Sequence, residues 1–190
     1  MRLFSCKTLL LAAALAMGAN VSAAPQQKAP TSQKVSLLAG KWVFRLPKDY
    51  VQSPMPEIDE KAKAAGVTGS LYMNKAAKRV VIVTETPLES NESVSSNDPA
   101  TLNGIVASTL EQQKASYPDF KQLGDTKKIV RHGLGLRQLD ISGKVDGGKV
   151  LSSTVTAASG RRVAMVNVIS LEKDAKAHGE LLKAVINIRK

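Results

Sequence analysis

Two histidines, His132 and His178, are the only imidazoles in the 190 residues, and the single cysteine is Cys6. They are the natural starting point for any chemistry, because general-base, nucleophilic and metal-binding sites draw on these side chains first. His132 precedes Gly133, and with Asp140 and a serine such as Ser142 or Ser152 it imitates a Ser-His-Asp set. Such triples arise by chance in a serine-rich chain, and no G-x-S-x-G elbow holds a serine at a strand-to-helix turn. No catalytic residue is therefore assigned. His178 falls on an apolar helical stripe and reads as a core or boundary residue. With so few imidazoles and no thiol beyond Cys6, no metal site is expected.

The glycine pairs carry no phosphate chemistry either. Neither Gly133-Leu134-Gly135 nor Gly147-Gly148 opens a helix, so the converging N–H groups and helix dipole that hold a phosphate are missing. Asp59 and Glu60 lie beside lysines and read as exposed carboxylates. No cofactor is expected.

Charge is the stronger signal. The chain carries 27 Lys and Arg against 16 Asp and Glu, a formal net charge of +11. Positions 80–113 hold Glu85, Glu89, Glu92, Asp98 and Glu111 with no Lys or Arg, whereas 121–165 is predominantly basic. That segregation predicts a dipolar molecule with a surface for anionic head groups, acidic glycan or an acidic protein. The candidate interaction residues are Lys75, Lys78, Arg79, Arg161 and Arg162 on the basic side and Glu85, Glu89 and Glu92 on the acidic side. An aromatic content of 4% is too sparse for a base-stacking platform, which argues against nucleic acid.

The elements that must position these residues are legible as periodicities. Trp42, Phe44 and Leu46 share one face of a strand that Pro47 ends. Positions 49–66 contain Pro54 and Pro56 and read as a loop with one short helical turn. Positions 70–73 and 79–84 form a hairpin across 74–78, and Val80-Val81-Ile82-Val83 makes the second arm a central strand. A Glu- and Ser-rich loop follows over 85–98. Asp98-Pro99 starts a helix with Leu102, Ile105, Val106, Thr109 and Leu110 on one face, ending near Ser116. Strands are expected over 127–132, 136–142, 150–157 and 163–171, with turns at Asp146-Gly147-Gly148 and Ser159-Gly160. A last amphipathic helix from about Asp174 aligns His178, Leu181, Leu182, Val185 and Ile186. Two helices among antiparallel strands give an α+β sandwich with helices packed on the sheet.

The N-terminus reads as an export signal: Arg2 and Lys7, an apolar core over 9–16, then Val21-Ser22-Ala23 as a small-residue cleavage pattern. The expected organisation is a signal peptide over 1–23, a Pro- and Gln-rich leader over 24–34 and one domain over 35–190. Cys6 precedes the apolar core rather than following it, so a lipidated mature start is not expected. A free periplasmic protein without a transmembrane span follows for a Gram-negative host.

The stretch Val35-Ser36-Leu37-Leu38-Ala39-Gly40-Lys41-Trp42-Val43-Phe44-Arg45-Leu46-Pro47 resembles the opening of the DcrB family of bacterial envelope proteins. The likeness continues through a hairpin, a helix with Glu111-Gln112-Gln113, a strand with Arg137-Gln138-Leu139-Asp140, and a closing helix. The resemblance implies a PsbP-like fold, used for binding rather than catalysis, and roles in envelope maintenance and bacteriophage entry. Typical members are lipoproteins, and this chain lacks the lipid-bearing cysteine, so roles that need tethering are not carried over. The expected activity is non-enzymatic contact with an envelope protein or anionic envelope surface. The alternative is a small-ligand carrier with Trp42, Phe44, Tyr50 and Tyr72 lining a pocket between sheet and helix.

Overall fold

In the computed structural model, residues 32–88, 93–130 and 133–186 are described. The chain runs β1 (Ser32–Leu37), β2 (Trp42–Pro47), β3 (Val51–Ser53), α1 (Glu60–Ala64), β4 (Thr68–Asn74), β5 (Arg79–Pro87), α2 (Pro99–Ser116), β6 (Lys121–Ile129), β7 (Gly135–Val145), β8 (Gly148–Ser159), β9 (Arg162–Leu171) and α3 (Ala175–Ile186). Seven strands form one antiparallel sheet in the order β3-β4-β5-β9-β8-β7-β6, and β1 pairs with β2 in a separate hairpin. This is the α+β sandwich that the periodicities predict.

Strand alternation sorts the sheet into two faces. On one, Val81, Val83, Val155, Ala157, Val166 and Val168 meet the α3 stripe Leu181, Leu182, Val185 and Ile186 together with Val35, Leu37, Trp42, Phe44 and Leu46 of the hairpin. Full burial of Trp42 leaves its indole N–H to be satisfied, and it donates to the Val185 carbonyl at 3.0 Å. On the other face, Val80, Ile82, Leu139, Ile141, Val150 and Ile169 form a smaller cluster with Tyr117. Over this face lies α2, which buries Leu102 and Val106 but also Thr109 and Gln113. There Gln113 donates to Thr154 at 2.8 Å and Ser152 to Asn167 at 3.0 Å, so polar pairs occupy part of the interface.

The local signals act as their chemistry requires. Asp98 caps α2 by accepting from Thr101 N at 2.7 Å, with Pro99 in the first turn. Asp146 (φ 48°) and Gly147 (φ 77°) make the left-handed turn between β7 and β8. Several boundaries differ from expectation. β1 begins at Ser32, because 32–34 pair with 45–47 although they carry no apolar period. β3 is three residues long, too short to register as a pattern. β6 begins at Lys121 rather than 127; as an edge strand exposed on both faces it has no alternation to read. Glu85 lies within β5 rather than in the loop after it.

Candidate functional site

Site building starts at the turn between β4 and β5. The Asn74 side chain bonds the Asp49 carboxylate, and its Oδ1 accepts from Ala77 N at 3.0 Å, closing an Asx-type turn. That turn carries Lys75 and Lys78, the latter at φ 50°, and delivers Arg79 as the first residue of β5. Arg79 enters a surface groove of about 500 Å³ between the end of β2, the start of β5 and the first turns of α3. Pro47, Ala177, Leu181 and Ala184 give it apolar lining, and Lys173 and Lys176 line it together with Asp49, Asp174 and Glu180.

Arg79 is incompletely satisfied there. Its nearest carboxylate is Asp174, at 3.8 Å, an ion pair without a hydrogen bond. Its Nε is buried and has no hydrogen-bond partner. Tyr50 packs beside it, and burial raises the Tyr50 phenol above its usual range, with the Arg79 charge and a side-chain hydrogen bond to Arg79 opposing that rise. The Nε N–H is buried, so an anion in the groove would meet the terminal guanidinium nitrogens, which hold Asp174 only loosely.

Arg162 is a contrasting case. It bonds the Glu85 carboxylate through Nε, the Gly66 carbonyl at 2.9 Å and the Glu85 carbonyl at 3.3 Å. Glu85 is held in turn, its other oxygen accepting from Leu38 N at 2.8 Å. The neighbouring chain is tied as well: Leu88 N donates to the Arg161 carbonyl at 2.8 Å, and Val94 bridges Gly160.

The candidate residues therefore do not form one surface. Arg162 pairs across from Pro87 at one end of β5, while Arg79 begins the other, about 26 Å away along the strand. Lys75, Lys78 and Arg79 share the turn between β4 and β5, with Arg79 alone of the three lining the groove; Arg161, Arg162 and Glu85 lie at the far end. Glu89 and Glu92 lie outside the described residues, as does His132. Charges also meet in local pairs: Glu85 of the acidic stretch with Arg162 of the basic one, Asp125 with Arg137 and Asp119 with Lys144.

Asp140 and Ser152, described members of the imitation triad, have other partners. Asp140 accepts from Ser153 at 2.5 Å and from Gln138 at 2.7 Å, while Ser152 faces the opposite side of the sheet and bonds Asn167. Ser153 also meets His178 Nε2 at 2.8 Å, and His178 Nδ1 meets Ser170 at 3.1 Å. This Asp140–Ser153–His178–Ser170 array lies under α3, with Ser153, His178 and Ser170 buried. Burial holds the His178 imidazole below its usual range, against the raising effect of the Asp140 charge and with a smaller lowering by Arg79. Both ring nitrogens are engaged, so the array works as a buried polar clamp between α3 and the sheet. Among the described residues no group of acidic, histidine or cysteine side chains is arranged to hold a metal.

The expected carrier pocket is filled. Trp42, Phe44 and Tyr72 pack in the core, and of the four aromatics Tyr50 alone lines the groove. Sequence reasoning missed Lys173, Lys176 and Asp174 as groove residues; their proximity to Arg79 depends on α3 folding back across the sheet, which no local pattern encodes. No helix among the described residues is long and apolar enough to cross a membrane.

No family model matches the chain, and no curated protein matches it. Solved structures similar to it include the cyanobacterial PsbP protein CyanoP from Synechocystis sp. PCC 6803, at 11% identity and TM-score 0.55, covering 87% of this chain and 94% of that one. Others are PA94 of Pseudomonas aeruginosa, a protein of unknown function, at 15% identity and TM-score 0.47, with 85% and 97% covered. LpqN of Mycobacterium tuberculosis, involved in cell envelope biogenesis, matches at 15% identity and TM-score 0.46, with 81% and 86% covered. The antiparallel sheet, its flanking helices and the CyanoP match together identify the architecture as a PsbP-like fold.

Proposed function

We propose that this chain is an exported, periplasmic protein of DcrB-like type that acts without catalysis, through contacts made at the Arg79 end of its sheet with an anionic envelope surface or acidic envelope protein. The observation that carries the reading is the Arg79 guanidinium, held by a loose ion pair in a groove that Lys173 and Lys176 also line together with Asp49, Asp174 and Glu180. An anionic group with an apolar neighbour matches both the loosely held guanidinium and the apolar lining. The sealing of the His178 array beneath α3 supports a non-enzymatic reading, since no substrate reaches it. The signal pattern over 1–23 supports export.

The test is made in cells with the full chain. Lys75→Glu/Lys78→Glu and Arg79→Ala are expected to release the protein from the envelope fraction and to abolish photocrosslinks from a probe at position 176. Unchanged fractionation and crosslinking in both variants would sink the reading. Mass spectrometry of the exported form is expected to find Ala24 as its first residue.

A further inference from the structure

β6 is the longer edge of the seven-stranded sheet, nine residues that pair with β7 alone. An edge strand leaves every second N–H and C=O without a ladder partner, a template for another strand. The opposite edge, β3, has three residues and offers little template. Exposed apolar side chains mark the same element. Of the three large hydrophobic residues exposed among those described, Leu123 (51%) and Ile129 (62%) both belong to β6. Natural edges are commonly blunted by charge, and β6 carries Lys121, Lys127 and Lys128. Those lysines have no ion-pair or hydrogen-bond partner among the described residues, whereas the single carboxylate of the strand, Asp125, is neutralised by Arg137 at 2.6 Å. Lys121 and Lys128 lie on one face of the sheet and Lys127 with Ile129 on the other, so positive charge flanks the free backbone groups on both faces, with a register irregularity between Gln122 and Gly124.

That charge selects the occupant. A second copy pairing through β6 would bring together two strands that each carry three lysines against one aspartate, a repulsive arrangement. The leader over 24–31 contains Lys28 and no acidic residue, with prolines at 25 and 30 that remove ladder donors. We propose that the β6 edge receives an extended acidic segment of another protein, added to the sheet as a further strand, with carboxylates reaching Lys121 and Lys128 on one face of the sheet and apolar side chains beside Ile129 and the Lys127 stem on the other. This inference is independent of the groove reading, because β6 and β5 are separated by β9, β8 and β7.

The test titrates the full chain with fluorescein-labelled nine-residue peptides: alternating Glu and Val, the same charge with two central prolines, and alternating Lys and Val. The Glu–Val peptide is expected to bind and to slow hydrogen exchange of β6 amides, and the proline and lysine peptides to bind at least about tenfold more weakly. Lys127→Glu/Lys128→Glu, at exposed positions, should weaken Glu–Val binding about tenfold, while Lys75→Glu/Lys78→Glu leaves it unchanged. Equal binding of the proline peptide without β6 protection would show charge attraction alone and overturn strand addition. Failure of the Glu–Val peptide to bind would overturn it too, as would sedimentation showing a dimer that Lys127→Glu/Lys128→Glu disrupts.

Discussion

Arg79 and Arg162 begin neighbouring strands, each directly after a turn, and in the sequence they are equivalent members of one basic set. In the fold they have opposite roles. Arg162 makes three hydrogen bonds, to Glu85 and Gly66, and joins β9 to β5 and to the chain before β4. Arg79 keeps one loose carboxylate and a buried Nε with no acceptor. An arginine tied by several hydrogen bonds is a structural link; one held loosely beside a groove is available for recognition.

The largest expected effect lies at the Arg162 end. Glu85→Ala removes the acceptor for Arg162 and for Leu38 N together, and is expected to cost about 2–3 kcal/mol in urea denaturation, since it strands two donors in a partly buried site. A loss below about 0.5 kcal/mol would show that the Glu85 links are solvent-screened and erase the contrast between the two ends.

Next comes the direct exchange. Arg162→Ala should destabilise by about 1–2 kcal/mol and leave envelope association intact. Arg79→Ala should change stability by no more than about 0.5 kcal/mol, because its one ion pair is long and partly exposed, yet remove the association. Reversed outcomes in the same pair of assays would assign the roles the other way round.

The smallest effect is a pH dependence that only one arginine should influence. Burial depresses the folded-state pKa of His178, so its unfolded state binds the proton more readily. Its contribution is complete above the unfolded value of about 6.5 and is lost as pH falls through the lower folded value. Denaturation at pH 7.5 and at pH 5.5 should therefore differ more for the wild type than for His178→Gln. Arg79 adds to the depression, so Arg79→Ala should narrow the difference slightly, whereas Arg162→Ala should leave it as in the wild type. Equal profiles for wild type and His178→Gln would show that the buried imidazole is not the titrating group.

Much of the architecture was readable because it is repetitive and local. Val80 to Val83 announce a central strand, Trp42-Phe44-Leu46 a buried face, Asp98-Pro99 a capped helix start, and the His178–Ile186 stripe a helix seated on the sheet. β6 escaped in part because an edge strand solvated on both faces carries no period. The site was half readable: Lys75, Lys78 and Arg79 could be named as basic, but not separated from Arg161 and Arg162.

By itself, the sequence determined the α+β class, the two helices on the sheet, the hairpin turns and the absence of a thiol after Cys6, all of which depend on side-chain type or on spacing within one element. Only the tertiary structure decided which arginine is neutralised, that Asp140 accepts from Ser153 and Gln138, and that Arg79 shares a groove with Lys176 about a hundred residues away. Charge and hydrogen-bonding capacity are properties of a residue; whether that capacity is used depends on acceptors delivered from distant segments. In this protein antiparallel pairing delivers Glu85 to Arg162 and leaves Arg79 with a donor unspent.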